Sequence, residues 1–150
     1  NNSEDKAYRP QQAAALCLKR RKRKLYVLII TSRQTKRWII PKGWLEEDKT
    51  EAEVALVEAW EEAGVIADPT SPALIGSYHY DKRLRGAQEK PLEVNVYRIT
   101  SCILAKRYPE KKRRQRKWVS LKKAAKMVDE QSLKRLLLVQ IESDEGNVGN

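Results

Sequence analysis

Two near-continuous apolar runs open the ordered part of the chain, QAAALCL over 12–18 and LYVLII over 25–30. Runs of that length without alternation suit strands covered on both faces. The basic stretch KRRKRK (19–24) between them predicts a turn, so the two runs read as hairpin partners. A polar loop with three cations (31–37) leads to a short strand, WIIP (38–41), which Pro41 stops. Residues 42–49 read as a loop. Thr50 followed by Glu53 forms a capping box, and Ala52, Ala55, Leu56, Ala59, Trp60 and Ala63 recur with helical spacing as far as Gly64, a suitable C-cap. That stripe predicts a helix with Trp60 in the core. The stretch D-P-T-S-P (68–72) is loop. Segments 73–80 and 91–100 predict an antiparallel pair joined by a cationic loop, 81–90. KWVS (117–120) predicts another strand, and 121–128 and 130–140 predict helices, the second with Leu133, Leu136 and Leu137 on one face. Residues 1–10 and 142–150 read as flexible tails. Mixed strands flanked by helices predict one α/β domain over 11–141.

Composition narrows the function. An apolar fraction of 41% in 150 residues is enough for one core and excludes global disorder. The apolar runs are far shorter than a bilayer span. The N-terminus lacks the apolar segment of a signal peptide, so a cytoplasmic protein is expected. Cys17 and Cys102 sit in apolar runs with no CxxC spacing, and buried free thiols in a reducing compartment are expected. A net charge of +11 calls for a polyanionic partner, but a phosphorylated small molecule, nucleic acid and a membrane surface satisfy it equally.

The chemistry lies on the helix after Thr50. Glu58, Glu61 and Glu62 stand at i, i+3 and i+4, a spacing that directs three carboxylates from one face. Glutamate is a good helix former, and such a trio is usually a solvated surface. Here acid is concentrated on one helix of a strongly basic chain, directly after a strand, Pro41 and Gly43. Three clustered carboxylates repel one another unless a cation lies between them. A hard divalent ion with oxygen ligands, such as Mg²⁺, fits that need and would also take substrate phosphates.

Gly43, Glu58, Ala59, Glu61, Glu62, Gly64 and Val65 stand at the spacing of the Nudix box. The order of elements around them is also similar to a whole Nudix domain over roughly 11–140. The chain therefore resembles a Nudix hydrolase, most of all the branch acting on diphosphoinositol and diadenosine polyphosphates. The resemblance implies a mixed β-sheet sandwiched between α-helices, Mg²⁺ or Mn²⁺ as cofactor, and hydrolysis of a diphosphate linkage. It implies Glu58 and Glu62 as metal ligands, Glu61 as a third ligand or the base, and the carbonyl of Lys42 as a main-chain ligand beside Gly43. Glu58 and Glu61 are the catalytic candidates within the box; Glu110 and Glu93 are candidates outside it.

Substrate phosphates would meet Arg33, Lys36, Arg37, Lys42 and Gly43, then Lys82, Arg83 and Arg85, then Arg114 and Arg116. Trp44 could stack on a base or cover the core. His79 reads as a half-exposed strand residue. Two positions depart from the box: Lys49 stands where an early Glu is expected and Val57 where an Arg is expected; the resemblance implies that this Arg helps orient the acidic side chains and that the early Glu pairs with it. Glu46, Glu47 or Glu51 could compensate. These departures, with the absence of Phe, leave a second reading: a weakened or engineered Nudix-fold protein serving as a scaffold or a polyphosphate- or RNA-binding module. A third reading, RNA binding through KRRKRK and KKRRQRK, lacks interleaved aromatics. A monomer or a dimer is expected, with no membrane partner.

Overall fold

A computed structural model of the chain describes the backbone of residues 10–83 and 89–148, and side chains there outside 81–90 and 145–148. The strands are β1 (Gln12–Arg21), β2 (Lys24–Thr31), β3 (Trp38–Ile39), β4 (Lys42–Trp44), β5 (Val65–Ile66), β6 (Ala73–Arg83), β7 (Glu89–Ile99), β8 (Ile103–Leu104) and β9 (Arg116–Ser120). The helices are α1 (Glu51–Ala63), α2 (Leu121–Met127) and α3 (Gln131–Val148).

The expected hairpin is present, with Leu18 opposite Val27 and Arg21 opposite Lys24. Its two-residue turn places Lys22 and Arg23 at φ 49° and 69°. Strand β1 organises the seven-stranded sheet, pairing in parallel with β7 and antiparallel with β4 and then β2. Strand β9 adds to the other edge of β2, and β6 pairs with β7. The β1–β7 parallel register joins segments about 80 residues apart, and no local pattern specifies it.

Alternation along β1 builds two cores. Ala14, Leu16 and Leu18 face one side and pack with Leu121, Leu133 and Leu137 of α2 and α3. Ala13, Ala15 and Cys17 face the other and pack with Val54, Ala55, Ala59 and Ala63 of α1. Small side chains on both surfaces let α1 lie close to the sheet. The architecture is the expected mixed sheet between helices.

Four expectations change. Residues 42–44 of the expected loop form β4, since β1 offers an unpaired edge there. Residues 142–148, expected as a tail, continue α3, and Asp144 receives Arg20 at 2.5 Å. Trp60 is exposed: the buried side of α1 is Val54, Ala55, Ala59, Glu62 and Ala63, rotated from the apolar stripe. Cys102 is half-buried, while Cys17 is buried as expected; both are free thiols.

Candidate active site

Helix α1 is held at both ends. The Thr50 hydroxyl accepts from the Glu53 amide, and the Glu53 carboxylate accepts from the Thr50 amide. At the other end Gly64 adopts a left-handed conformation (φ 69°) and its amide donates to the carbonyls of Ala59 and Trp60. A side chain at Gly64 would also meet Tyr108 and Arg116. Arg116 donates to the carbonyls of Ala63 and Ala105, both at 2.8 Å, and lies over the Tyr108 ring. It was expected to bind substrate. Its guanidinium is instead spent on the negative end of the helix, where a cation satisfies carbonyls that lack helical partners.

This anchoring brings a distant segment to the acidic face. The Ala105 amide donates to Gly64 and the Glu110 amide to Glu61. Glu110 and Arg114 are thereby set beside Glu58 and Glu62, and all four line one cleft with Gln12, Gly43, Trp44, Glu46 and Tyr80. Arg114 is nearly buried. It donates to Glu110 Oε1 at 2.9 Å and to the Thr31 carbonyl at 3.1 Å, and lies 3.7 Å from Glu62 Oε2.

Strand β4 lays Gly43 under Glu58. A Cβ on Gly43 would stand 2.6 Å from Glu58 Cγ and 2.7 Å from its Oε2, so only glycine leaves the carboxylate room. The Lys42 amide donates to Glu62 Oε1 at 3.2 Å. Glu58 and Glu62 stand one turn apart on α1, each near enough to shift the proton affinity of the other. Burial is the first cause that pushes Glu62 up to about 8; Arg114 and the Lys42 amide oppose it, and Glu58 adds to it. Glu58 is also raised, mainly by burial, with the charges of Glu61, Glu110 and Glu46 contributing.

The three box carboxylates do not form one cluster. Among the described residues no group of three or more His, Cys, Asp or Glu side chains stands close enough to hold a metal. Glu61 is about 100° from Glu62 around the helix and is not among the residues lining the cleft. Glu51, a possible compensator, faces the sheet, where it accepts from Asn95 and Tyr97. Lys49 pairs with Glu46 at 3.1 Å, Val57 is half-buried and Glu47 is exposed. Glu93 also lies outside the cleft lining.

The cations divide similarly. Arg33 and Arg37 line the cleft from the β2–β3 loop and Lys42 lines it from β4, its ammonium 5.1 Å from the Tyr80 ring centre. Lys36 is exposed in the same loop and is absent from the lining. The side chains of Lys82 and Arg83, and all of Arg85, lie outside the described residues. Trp44 is exposed at the cleft and does not cover the core. The His79 side chain is exposed; its backbone is clamped by the Ser132 hydroxyl.

Sequence reading did not find an aromatic lobe at the far side of the cleft. Tyr78 and Tyr80 stack at 6.3 Å, and the Tyr80 hydroxyl donates to Gln12. Their i, i+2 spacing on a strand was the available signal. The cleft measures about 1550 Å³, above the roughly 300–1000 Å³ of ordinary small-molecule pockets.

The sequence profile of the family described as NUDIX domain matches residues 9–139. Nudix hydrolase 4 of Arabidopsis thaliana is 26% identical over 130 residues, which cover 84% of this chain and 60% of that protein. The chain thus spans less than two thirds of that relative. The fold is similar to the crystal structure of an Ap4A hydrolase from C. elegans (TM-score 0.61, 18% identity, 86% of this chain and 94% of that one). It is also similar to a NUDIX hydrolase from Listeria monocytogenes (TM-score 0.64, 17% identity, 93% and 97%).

Proposed function

The chain belongs to the Nudix family, and on that premise we propose that it is a metal-dependent hydrolase. Its substrate would be highly phosphorylated and cleaved at a diphosphate linkage, a dinucleoside polyphosphate or a diphosphoinositol polyphosphate. One observation carries the reading. Glu58 lies over Gly43, which leaves it space, and Glu62 accepts from the Lys42 amide, so two carboxyls line one open cleft together with Arg33, Arg37 and Lys42. The size of the cleft supports an extended substrate, and the C. elegans Ap4A hydrolase offers a structural parallel.

The donor set fits a hard cation, because two partly buried carboxyls lining one cleft gain from a positive charge between them. Glu58, Glu62 and the Lys42 carbonyl would hold Mg²⁺ or Mn²⁺, with Glu61 as a further ligand. A divalent ion bound there neutralises phosphate charge and lowers the pKa of its water. Arg33, Arg37 and Lys42 would orient the phosphates. Lys36, Lys82, Arg83 and Arg85 would extend the positive field around them. Glu58 or Glu61 would accept the proton of the attacking water, with Glu110 the carboxylate outside the box that the fold brings nearest. A cytoplasmic setting fits this substrate class.

Lys49 and Val57 favour the second reading, a weakened protein that binds polyphosphate or RNA without turnover. The two separate in a product assay with Mg²⁺ or Mn²⁺ on diadenosine polyphosphates and diphosphoinositol polyphosphates, alongside Glu62→Gln. The hydrolase reading expects turnover that requires metal and drops in the variant. No hydrolysis of any diphosphate at high enzyme and metal concentration would overturn it.

A further inference from the structure

We propose that Arg114 is the positioning cation of this site, supplied from outside the helix in place of the box arginine whose position holds Val57. The proposal rests on the hydrolase reading and deepens it. A carboxylate used as a ligand or base must be held in one orientation, and a planar guanidinium does this by directing several N–H groups at fixed angles. Val57 has no donor, and the Lys49 ammonium is engaged by Glu46, its neighbour three residues away. Neither position can orient Glu58 or Glu62 as the family pattern would.

Arg114 has the required connections. Its side chain is one-tenth exposed, and it reaches three elements: Glu110 on its own segment, the Thr31 carbonyl at the end of β2, and Glu62 on α1. Its backbone is fixed beside it. The Thr31 hydroxyl accepts from the Gln115 amide at 2.9 Å, and the Thr31 amide donates to the Gln115 carbonyl at 3.1 Å. A substrate-binding arginine keeps its donors for phosphate. This one spends two of its nitrogens on directed protein hydrogen bonds and turns a third toward Glu62. Arg33 and Arg37 are exposed in the cleft-lining loop, Arg37 with only a solvent-exposed ion pair to Asp129 at 3.7 Å, and suit phosphate capture. Arg116, two residues on, is committed to the end of α1, so the two arginines of one basic run divide between anchoring the helix and orienting its carboxylates.

The test compares Arg114→Gln, Arg114→Lys, and Arg114→Gln combined with Lys49→Glu and Val57→Arg. Two readouts are used. One is Mn²⁺ affinity of the whole chain by electron paramagnetic resonance, which does not need turnover; the other is the split between kcat and KM. Positioning predicts that Arg114→Gln weakens Mn²⁺ binding and lowers kcat roughly 10–100-fold, with KM shifted less than about threefold. The lysine variant restores only part, because an ammonium lacks the planar fork. The Lys49→Glu, Val57→Arg pair recovers about tenfold or more.

Unchanged Mn²⁺ affinity and kcat with a raised KM would make Arg114 a substrate contact and overturn the proposal. If Arg114→Gln does not fold, the lysine variant decides: wild-type Mn²⁺ affinity and kcat there also overturn it. Should the unaltered chain bind Mn²⁺ but cleave no diphosphate, the hydrolase reading falls while the Mn²⁺ measurements still judge Arg114.

Discussion

At the scale of single residues, Glu62 concentrates the conflict between folding and chemistry. It lies on the buried side of α1, among alanines, yet it belongs to the acidic motif. Burial raises its carboxyl from the ordinary 4.5 to about 8 despite Arg114. A carboxyl raised in the folded state binds its proton more tightly there than in the unfolded chain. The resulting stabilisation is complete below the ordinary value and is lost as pH rises through the folded one. The metal-free protein should therefore lose thermal stability between about pH 5 and 8, and Glu62→Gln should flatten that slope. Melting curves at several pH values in chelator would check this. A slope that survives the substitution would assign it to another group. On the proposed function a divalent ion would replace the proton, so the same pH range should see metal raise the melting temperature most at its upper end.

At the scale of elements, the β1–β2 hairpin departs from what its geometry favours. Both turn residues have positive φ, the conformation of a two-residue I′ turn that ordinarily takes Asn-Gly, but the chain uses Lys22 and Arg23. Each non-glycine residue there costs on the order of 1 kcal/mol. Lys22→Asn with Arg23→Gly should stabilise the protein by roughly 1 kcal/mol or more and raise its melting temperature by about 2–4 °C per kcal/mol. A calorimetric melting temperature that falls would show that the two cations contribute more to the hairpin than their backbone strain removes. The turn sits at the opposite end of β2 from the cleft-lining loop, so turnover of a diphosphate should not change.

At the scale of the whole molecule, a charge of +11 surrounds a cleft whose floor is acidic. Long-range attraction should gather polyphosphates, while the carboxylates accept one only with a cation between. KM for a highly charged substrate should then rise with ionic strength, since the Debye length falls from about 10 Å at 0.1 M to about 3 Å at 1 M. The kcat value should move less, because contacts inside the cleft are poorly screened. Steady-state kinetics over a salt series with a dinucleoside polyphosphate would test this. A KM independent of salt would confine recognition to short-range contacts.

Local information was sufficient for much of this protein. The hairpin, the capped helix and the β6–β7 pair all follow from short-range pattern, because turn chemistry, capping and helical period act over a few residues. The family resemblance was likewise carried by residues spaced along one strand-loop-helix unit. Tertiary structure decided the rest. The parallel pairing of β1 with β7 joins segments that share no local signal. In the run KKRRQRK, sequence treats Arg114 and Arg116 alike. The fold sends one to Glu62 and Glu110 and the other to the carbonyls ending α1, because only the docked segment defines which acceptors lie nearby. Likewise helical spacing places Glu58, Glu61 and Glu62 on one face. The packing of α1 against β1 then buries Glu62, leaves Glu58 over Gly43 and leaves Glu61 outside the residues that line the cleft. Sequence periodicity states which side chains can share a face; only the contact surface of the sheet decides how that face is divided between core, cleft and solvent.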